Sequence, residues 1–204
     1  MHSAPLEQSP SDQASLPARP TLLVLRTPGA LRTSVESFIR SVYANTYGAT
    51  VREFAPSLVC LQAHDRVVAA AGYRLASEPL YLERYLDRPV EQLLDTTRPV
   101  ARQCIAEVGH LSSLQPGASR QLMGALAAHL HAEGVEWVVS TVTAPLRHLL
   151  IRIGIGAHVI GAASAQRLGR TAVDWGTYYD HEPLVMAGHL PTAVQALARR
   201  LGAQ

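Results

Sequence analysis

Two β-α units in immediate succession constrain this chain more than any other feature. The first, "IAEVGHLSSLQPGASRQLMGALAAHL" (Ile105 to Leu130), runs from an apolar strand through a Gly/Pro/Ser turn into an amphipathic helix. The second, Val135 to Ile153, repeats that order with the near-continuous apolar run "GVEWVVSTVT" and the helix "APLRHLLIRIG", stopped at Gly154. A right-handed crossover sets the two strands side by side, with their C-termini on one edge of the sheet, where α/β proteins take ligands. Within the first strand a lone carboxylate, Glu107, stands between Ile105, Ala106 and Val108.

The flanking sequence supplies the rest of a sheet. "TLLVLRT" reads as a strand, and Leu31, Val35, Phe38, Ile39 and Val42 mark one buried face of a helix from about Gly29 to Asn45. "SLVCLQAHDRVVAAAGYRLAS" is a hairpin turning at "HD", and "EPLYLERYLDRPVEQLLD" is a helical cover or lid over one end of the sheet. After "AHVIGAA", the segments "DWGTYYD" and "PLVMAGH" read as strands before a final helix through Val194, Leu197, Ala198 and Leu201. The order β α β β (lid) β α β α β β α predicts an α/β fold, a mixed sheet with helices on both faces. Residues 1–20, rich in Pro, Ser and Gln, are expected to be an N-terminal arm, with 21–204 as a single domain.

Bulk properties exclude several classes. Of 204 residues 48% are hydrophobic and 17% charged, too apolar for a disordered chain. The formal charge is only +2 and the arginines are scattered, so nothing calls for nucleic acid. Cys60 and Cys104 sit inside apolar runs and read as buried thiols of a reducing compartment. There is no basic-then-apolar leader and no run of about 18 apolar residues, which predicts a cytoplasmic protein without a membrane span. His129 and His131, two apart on a helix, diverge, so no metal site is expected.

The chemistry concentrates at the shared strand edge. The turn "QPGAS" aims the N–H groups of Gly117, Ala118 and Ser119, backed by a helix dipole, at the space beyond the strand, which suits a phosphate. Ser112 and Arg120 join them as candidates for holding an anionic carrier.

The motifs also carry a resemblance. The succession of strand, phosphate-binding turn, helix, strand and helix resembles the GNAT acyltransferase fold. "GYRLASEPLYL", "EVGHLSS" and "VVSTVTAPLRHLLIRIGIGAHVIG" resemble segments of acyl-homoserine-lactone synthases, which share that fold. Over residues 21–190, "SVYANTYGA", "EPLYLERYLD", "EVGHLSS" and "WGTYYDHEPLVM" are similar to the thermostable hemolysin family. "QPGASRQL" departs from the usual Arg/Gln-x-x-Gly-x-Gly/Ala loop in having a proline and one glycine.

The resemblance implies a GNAT-like, mostly antiparallel sheet with a central splayed parallel pair and a groove near His110 to Leu114. It implies transfer of an acyl group from acyl-CoA or an acyl carrier protein, with coenzyme A or phosphopantetheine as carrier and no metal, to a small amine. Such chemistry asks for a base, an oxyanion donor and an acid for the thiolate. Glu107 and His110 are the candidate bases and Tyr179 the candidate acid, with Tyr73 and Tyr178 as further tyrosines. Arg74, Leu80, Tyr81, Tyr85, Thr141 and Thr143 are the candidate substrate-binding residues. Structural readings stand beside these: a salt bridge of Glu107 with Arg74 or Arg102, a satisfied partly buried His110, strand propensity for the threonines, and core or rim aromatics. Two other functions fit the family: a membrane-lytic protein, as its name says, and a non-catalytic domain that binds acyl carriers or metabolites.

Overall fold

The computed structural model describes residues 21–63, 65–115 and 117–201. The N-terminal arm expected over residues 1–20 lies outside them. A seven-stranded sheet runs in the order β1-β2-β3-β4-β5-β7-β6, made of β1 (Leu22–Leu25), β2 (Ser57–Ala63), β3 (Arg66–Leu75), β4 (Ile105–Ser113), β5 (Trp137–Val142), β6 (His158–Ala162) and β7 (Leu184–His189). Every neighbouring pair is antiparallel except β4 and β5. The adjacent β4 and β5 are the pair expected from the two β-α units, and the mostly antiparallel sheet around them is the one the resemblance implies.

Helices cover both faces. On one, α2 (Ala118–Ala132) buries Leu122, Leu126 and Leu130, spaced four apart, against Val59, Leu61, Ala69 and Ala71. Each such side chain contributes roughly 1.5–3 kcal/mol relative to exposure. On the other, α1 (Ala30–Tyr47) lays Val35, Ile39 and Tyr43 on Leu58, Cys60 and Ala70. Five consecutive residues of β2, Ser57 to Leu61, are therefore buried, the mark of a strand with no solvated face. Helix α1 ends at Gly48, whose φ of +66° lets its own N–H reach back to the Ala44 carbonyl and the Ala49 N–H to that of Tyr43. Cys60 is buried and Cys104 half-buried, both as free thiols.

The lid segment forms three 3₁₀ turns, Leu82–Tyr85, Val90–Gln92 and Arg102–Cys104. Leu80, Leu82, Tyr85 and Val90 pack over Ile105, Val139 and Val185. Arg102 pairs with Glu83 and Glu91 across these turns, and not with Glu107.

One sequence expectation fails. "DWGTYYD" is not a strand but part of a 3₁₀ stretch, Gly169–His181, that follows the short helix α4 (Ala165–Leu168). Its aromatics turn inward: Trp175 and Tyr178, on either side of a kink, meet with a ring separation of 5.4 Å, and both contact the rings of α1. Gly176 kinks the stretch at φ +53°, and a Cβ there would lie 2.0 Å from the Tyr47 carbonyl oxygen. The chain closes with α5 (Leu190–Leu201). Among the described residues no helix is long and apolar enough to cross a membrane.

Candidate active site

The parallel pairing of β4 and β5 stops after Ile105↔Trp137, Ala106↔Val138 and Glu107↔Val139, although β4 continues to Ser113 and β5 to Val142. Beyond Glu107 the strands diverge. A bond from the Ser140 hydroxyl to the Val108 carbonyl bridges the start of the gap.

On the α2 side the divergence opens an apolar cavity of about 400 Å³. Met123 and Leu126 of α2 face Leu146, Leu149 and Leu150 of α3 (Ala144–Arg152) across it. The apolar face of α3, which reads in sequence like a core stripe, thus looks into open space, and no residue of this helix is fully buried.

On the α1 side lies a second cavity of about 160 Å³, walled by Tyr43, Tyr81, Trp175 and Tyr178 and carrying Arg74, Glu107 and His110. Tyr43, Val108, Gly109, His110, Thr141 and Tyr178 line both cavities, so the two meet at the splay.

His110 stands at that junction because β4 bulges. Gly72 pairs with Gly109 and Ala70 with Ser112, leaving two residues of β4, His110 and Leu111, opposite Ala71 alone. His110 adopts φ +55°, uncommon for a residue with a Cβ though more accessible to His than to most. Ser112, buried, donates its hydroxyl to the His110 carbonyl and braces the kink. The imidazole packs beside Phe54, with ring centroids 5.4 Å apart, and is bonded to the backbone of Glu53. Its Nδ1 is buried without a hydrogen-bond partner among the described residues. Burial outweighs the Glu53 bond and lowers its pKa to about 4, so the ring is neutral at pH 7 and Nδ1 is an acceptor.

Glu107 has a different environment. One carboxylate oxygen accepts the Tyr81 N–H at 2.7 Å and the other the Leu82 N–H at 3.1 Å, so the carboxylate caps the first lid turn. Arg74, opposite it on β3, reaches only 3.8 Å. Burial raises the Glu107 pKa against these partners.

Of the remaining sequence candidates, Arg74, Tyr81, Tyr85 and Thr141 line the smaller cavity, while Thr141, Thr143 and Ser119 line the larger. Leu80 is buried beneath the lid and reaches neither. Tyr179 also lines neither; its hydroxyl bonds Tyr85 at 2.8 Å, and burial lifts its pKa to about 12. Tyr73 points to the far face, bonded to Arg26 and His129. Tyr178, with Tyr43, stands at the junction: it donates to the Thr141 carbonyl at 3.4 Å, and near-complete burial holds its phenol protonated. Gly117 (φ +86°) precedes α2, Ala118 is buried, and Arg120 is exposed at the first turn. The Ala118 N–H is taken by Gln115 and the helical ladder starts at Gln121, so Ser119 and Arg120 supply the first-turn N–H groups nearest the larger cavity.

Sequence reasoning missed Tyr43 and Trp175 as walls, and Gly72, whose added Cβ would stand 2.9 Å from Ala55 Cβ and 3.0 Å from His110 Nδ1. The "AAAGYR" glycine inside a strand was the available signal, since such glycines mark close approaches.

The profile of a family described as "Thermostable hemolysin" matches residues 26–194. No sequence among the curated proteins matches the chain. Among solved structures, TofI in an apo form superposes with a TM-score of 0.64 at 14% identity, over 87% of this chain and 96% of that one. FeeM, an N-acyl amino acid synthase from uncultured soil microbes, gives 0.59 at 15% identity, over 86% and 94%. BjaI, a CoA-dependent acyl-homoserine lactone synthase crystallised with SAM and isopentyl-CoA, gives 0.54 at 13% identity, over 84% and 79%. At these identities the likeness is one of fold, and the fold is GNAT-like.

Proposed function

The chain belongs to the thermostable hemolysin family, and we propose that it is an N-acyltransferase that moves an acyl group from acyl-CoA, or from the phosphopantetheine of an acyl carrier protein, to a small amine. The observation that carries this reading is the splay of β4 from β5, which joins, at His110, an apolar cavity to an aromatic-walled one that carries ionic side chains. A thioester with a greasy tail suits the first space and a charged acceptor the second, with the reacting atoms at the junction.

The residues then divide the work. Ser119 and Arg120, at the positive end of α2, suit the donor's phosphate groups. Past Glu107 the backbone of Val108 to His110 has no ladder partner on β5, and its N–H groups can stabilise the oxyanion of the tetrahedral intermediate. The acceptor enters as an ammonium ion. Neutral His110 takes one proton at Nδ1, the freed amine attacks the thioester carbonyl, the C–N bond forms and the C–S bond breaks. Tyr178 gives its proton to the departing thiolate and recovers one from the amide nitrogen. Thioester and ammonium become amide, thiol and one released proton. Glu107 holds the lid turn over the acceptor and places Tyr81, while Arg74 and Thr141 complete that wall.

Intact mass spectrometry after incubation with acyl-CoAs, acyl carrier proteins and amines tests the reading. The expected result is an acylated amine with stoichiometric free thiol, from a donor whose chain is longer than acetyl. Intact donors with every acceptor would sink it.

A further inference from the structure

The charges around the smaller cavity do not all pair with one another. Six ionic side chains line it: Arg52, Glu53, Arg74, Arg84, Glu107 and Asp174. Arg52 holds Asp174 through two bonds of 2.8 and 2.9 Å, and Arg74 faces Glu107 at 3.8 Å. That leaves Glu53 and Arg84, both exposed at the rim, neither of which has an ion-pair partner among the described residues.

They stand on different elements. Glu53 belongs to the loop between α1 and β2, and its backbone is the one bonded to the His110 ring. Arg84 belongs to the lid, with its guanidinium carbon 4.5 Å from the centroid of the Tyr81 ring. Both line the cavity together with Tyr81. The cavity thus offers one unpaired anion and one unpaired cation on different elements, with His110, whose Nδ1 is buried and unpartnered against Gly72, also lining it.

From this we infer that the acceptor is a zwitterionic amino acid, its ammonium held between Glu53 and His110 Nδ1 and its carboxylate by the Arg84 guanidinium. The inference rests on the acyltransferase reading for its chemistry, but the binding of the zwitterion does not. A guanidinium stacked on an aromatic ring is a planar, preorganised partner for a carboxylate. An amine without a carboxylate leaves Arg84 unanswered, and a free fatty acid leaves Glu53 unanswered.

The test uses acceptors that differ only at the carboxylate: leucine, leucinamide and 3-methylbutylamine, and the same series built on tyrosine and on alanine. Each is assayed with decanoyl-CoA on the full chain, and binding of each without donor is followed by saturation-transfer NMR. The expected result is that one free amino acid is acylated with a kcat/KM at least tenfold above its amide and amine. Arg84→Ala should erase that preference by lowering only the free acid, and Arg84→Lys should restore part of it. Glu53→Gln should raise KM for all three members of a series. Amide or amine acylated as well as the acid, or an Arg84→Ala loss shared equally by all three, overturns the inference and leaves the transferase reading intact. Amino acid binding that depends on Arg84, with no transfer from any donor, sinks the transferase reading and keeps the inference. Failure of every free amino acid to bind overturns the inference outright.

Discussion

Glu107 and His110, three residues apart on β4, face the same cavity. In a regular strand residues at odd separation point to opposite sides of the sheet. The bulge at His110 and Leu111 removes that parity, turning the imidazole onto the Glu107 side and sending Leu111 to the α2 core. The left-handed φ of His110 is thus tied to where its ring must be, and strain of this kind concentrates at functional sites.

The first prediction concerns pH. Because the folded His110 has a pKa of about 4 and an unfolded one ~6.5, the unfolded chain binds more protons between those values, so stability is full above pH 6.5 and declines as the pH falls toward 4. Urea midpoints should drop across that window in the wild type and drop less in His110→Asn. For catalysis the base stays deprotonated through neutrality, so an acid limb of kcat near pH 4 identifies it, and a limb near 6.5 would argue for another group. His110→Asn should lower kcat by roughly 10²–10⁴.

A second prediction follows from Gly72. Its missing side chain leaves the space that the His110 ring and Ala55 share. Gly72→Ala should cost about 1–3 kcal/mol by overpacking and also lower kcat, because the ring rotates off its position. A variant that loses stability while keeping the wild-type pH profile and kcat would show that the ring tolerates the push.

Much of this was legible before any coordinates. The two β-α units fix the central pair, and the i, i+4 leucines of α2 fix its buried face, because local periodicity reports burial directly. "DWGTYYD" misled, since aromatic residues favour strands, and only tertiary packing against Tyr43 and Tyr47 reveals that its rings turn inward around a kink at Gly176. The bulge was not legible, because nothing in "EVGHLSS" marks which residue is extra; only the register against β3 does. The charge pairing at the smaller cavity was hidden for the same reason, with Arg52 and Asp174 lying 122 residues apart.

The third prediction separates the two roles of Glu107. Both of its oxygens accept lid N–H groups, and a glutamine would present an NH₂ to one of them. Glu107→Gln should therefore destabilise by about 1–3 kcal/mol and raise the acceptor KM more than it lowers kcat. An unchanged melting temperature with a hundredfold loss of kcat would instead make Glu107 the base. Leu80→Ala, under the same lid but outside the cavity, should cost about 2–5 kcal/mol and leave acceptor preference where it was.

The last prediction concerns the acyl chain. The larger cavity runs down α2 from Ser119 to Leu130, and Val138 and Gly188, register partners on β5 and β7, line its deep end. Ala127, one turn short of Leu130, lines this deep part and is small. Ala127→Phe should fill it, so that kcat/KM falls for long-chain thioesters and holds or rises for short ones, with the acceptor KM unchanged. The selectivity change should be at least tenfold, since each methylene withdrawn from apolar burial is worth about 0.8 kcal/mol and several are displaced. A uniform loss across chain lengths, without a change in melting temperature, would place the acyl tail elsewhere and leave this cavity to the pantetheine arm.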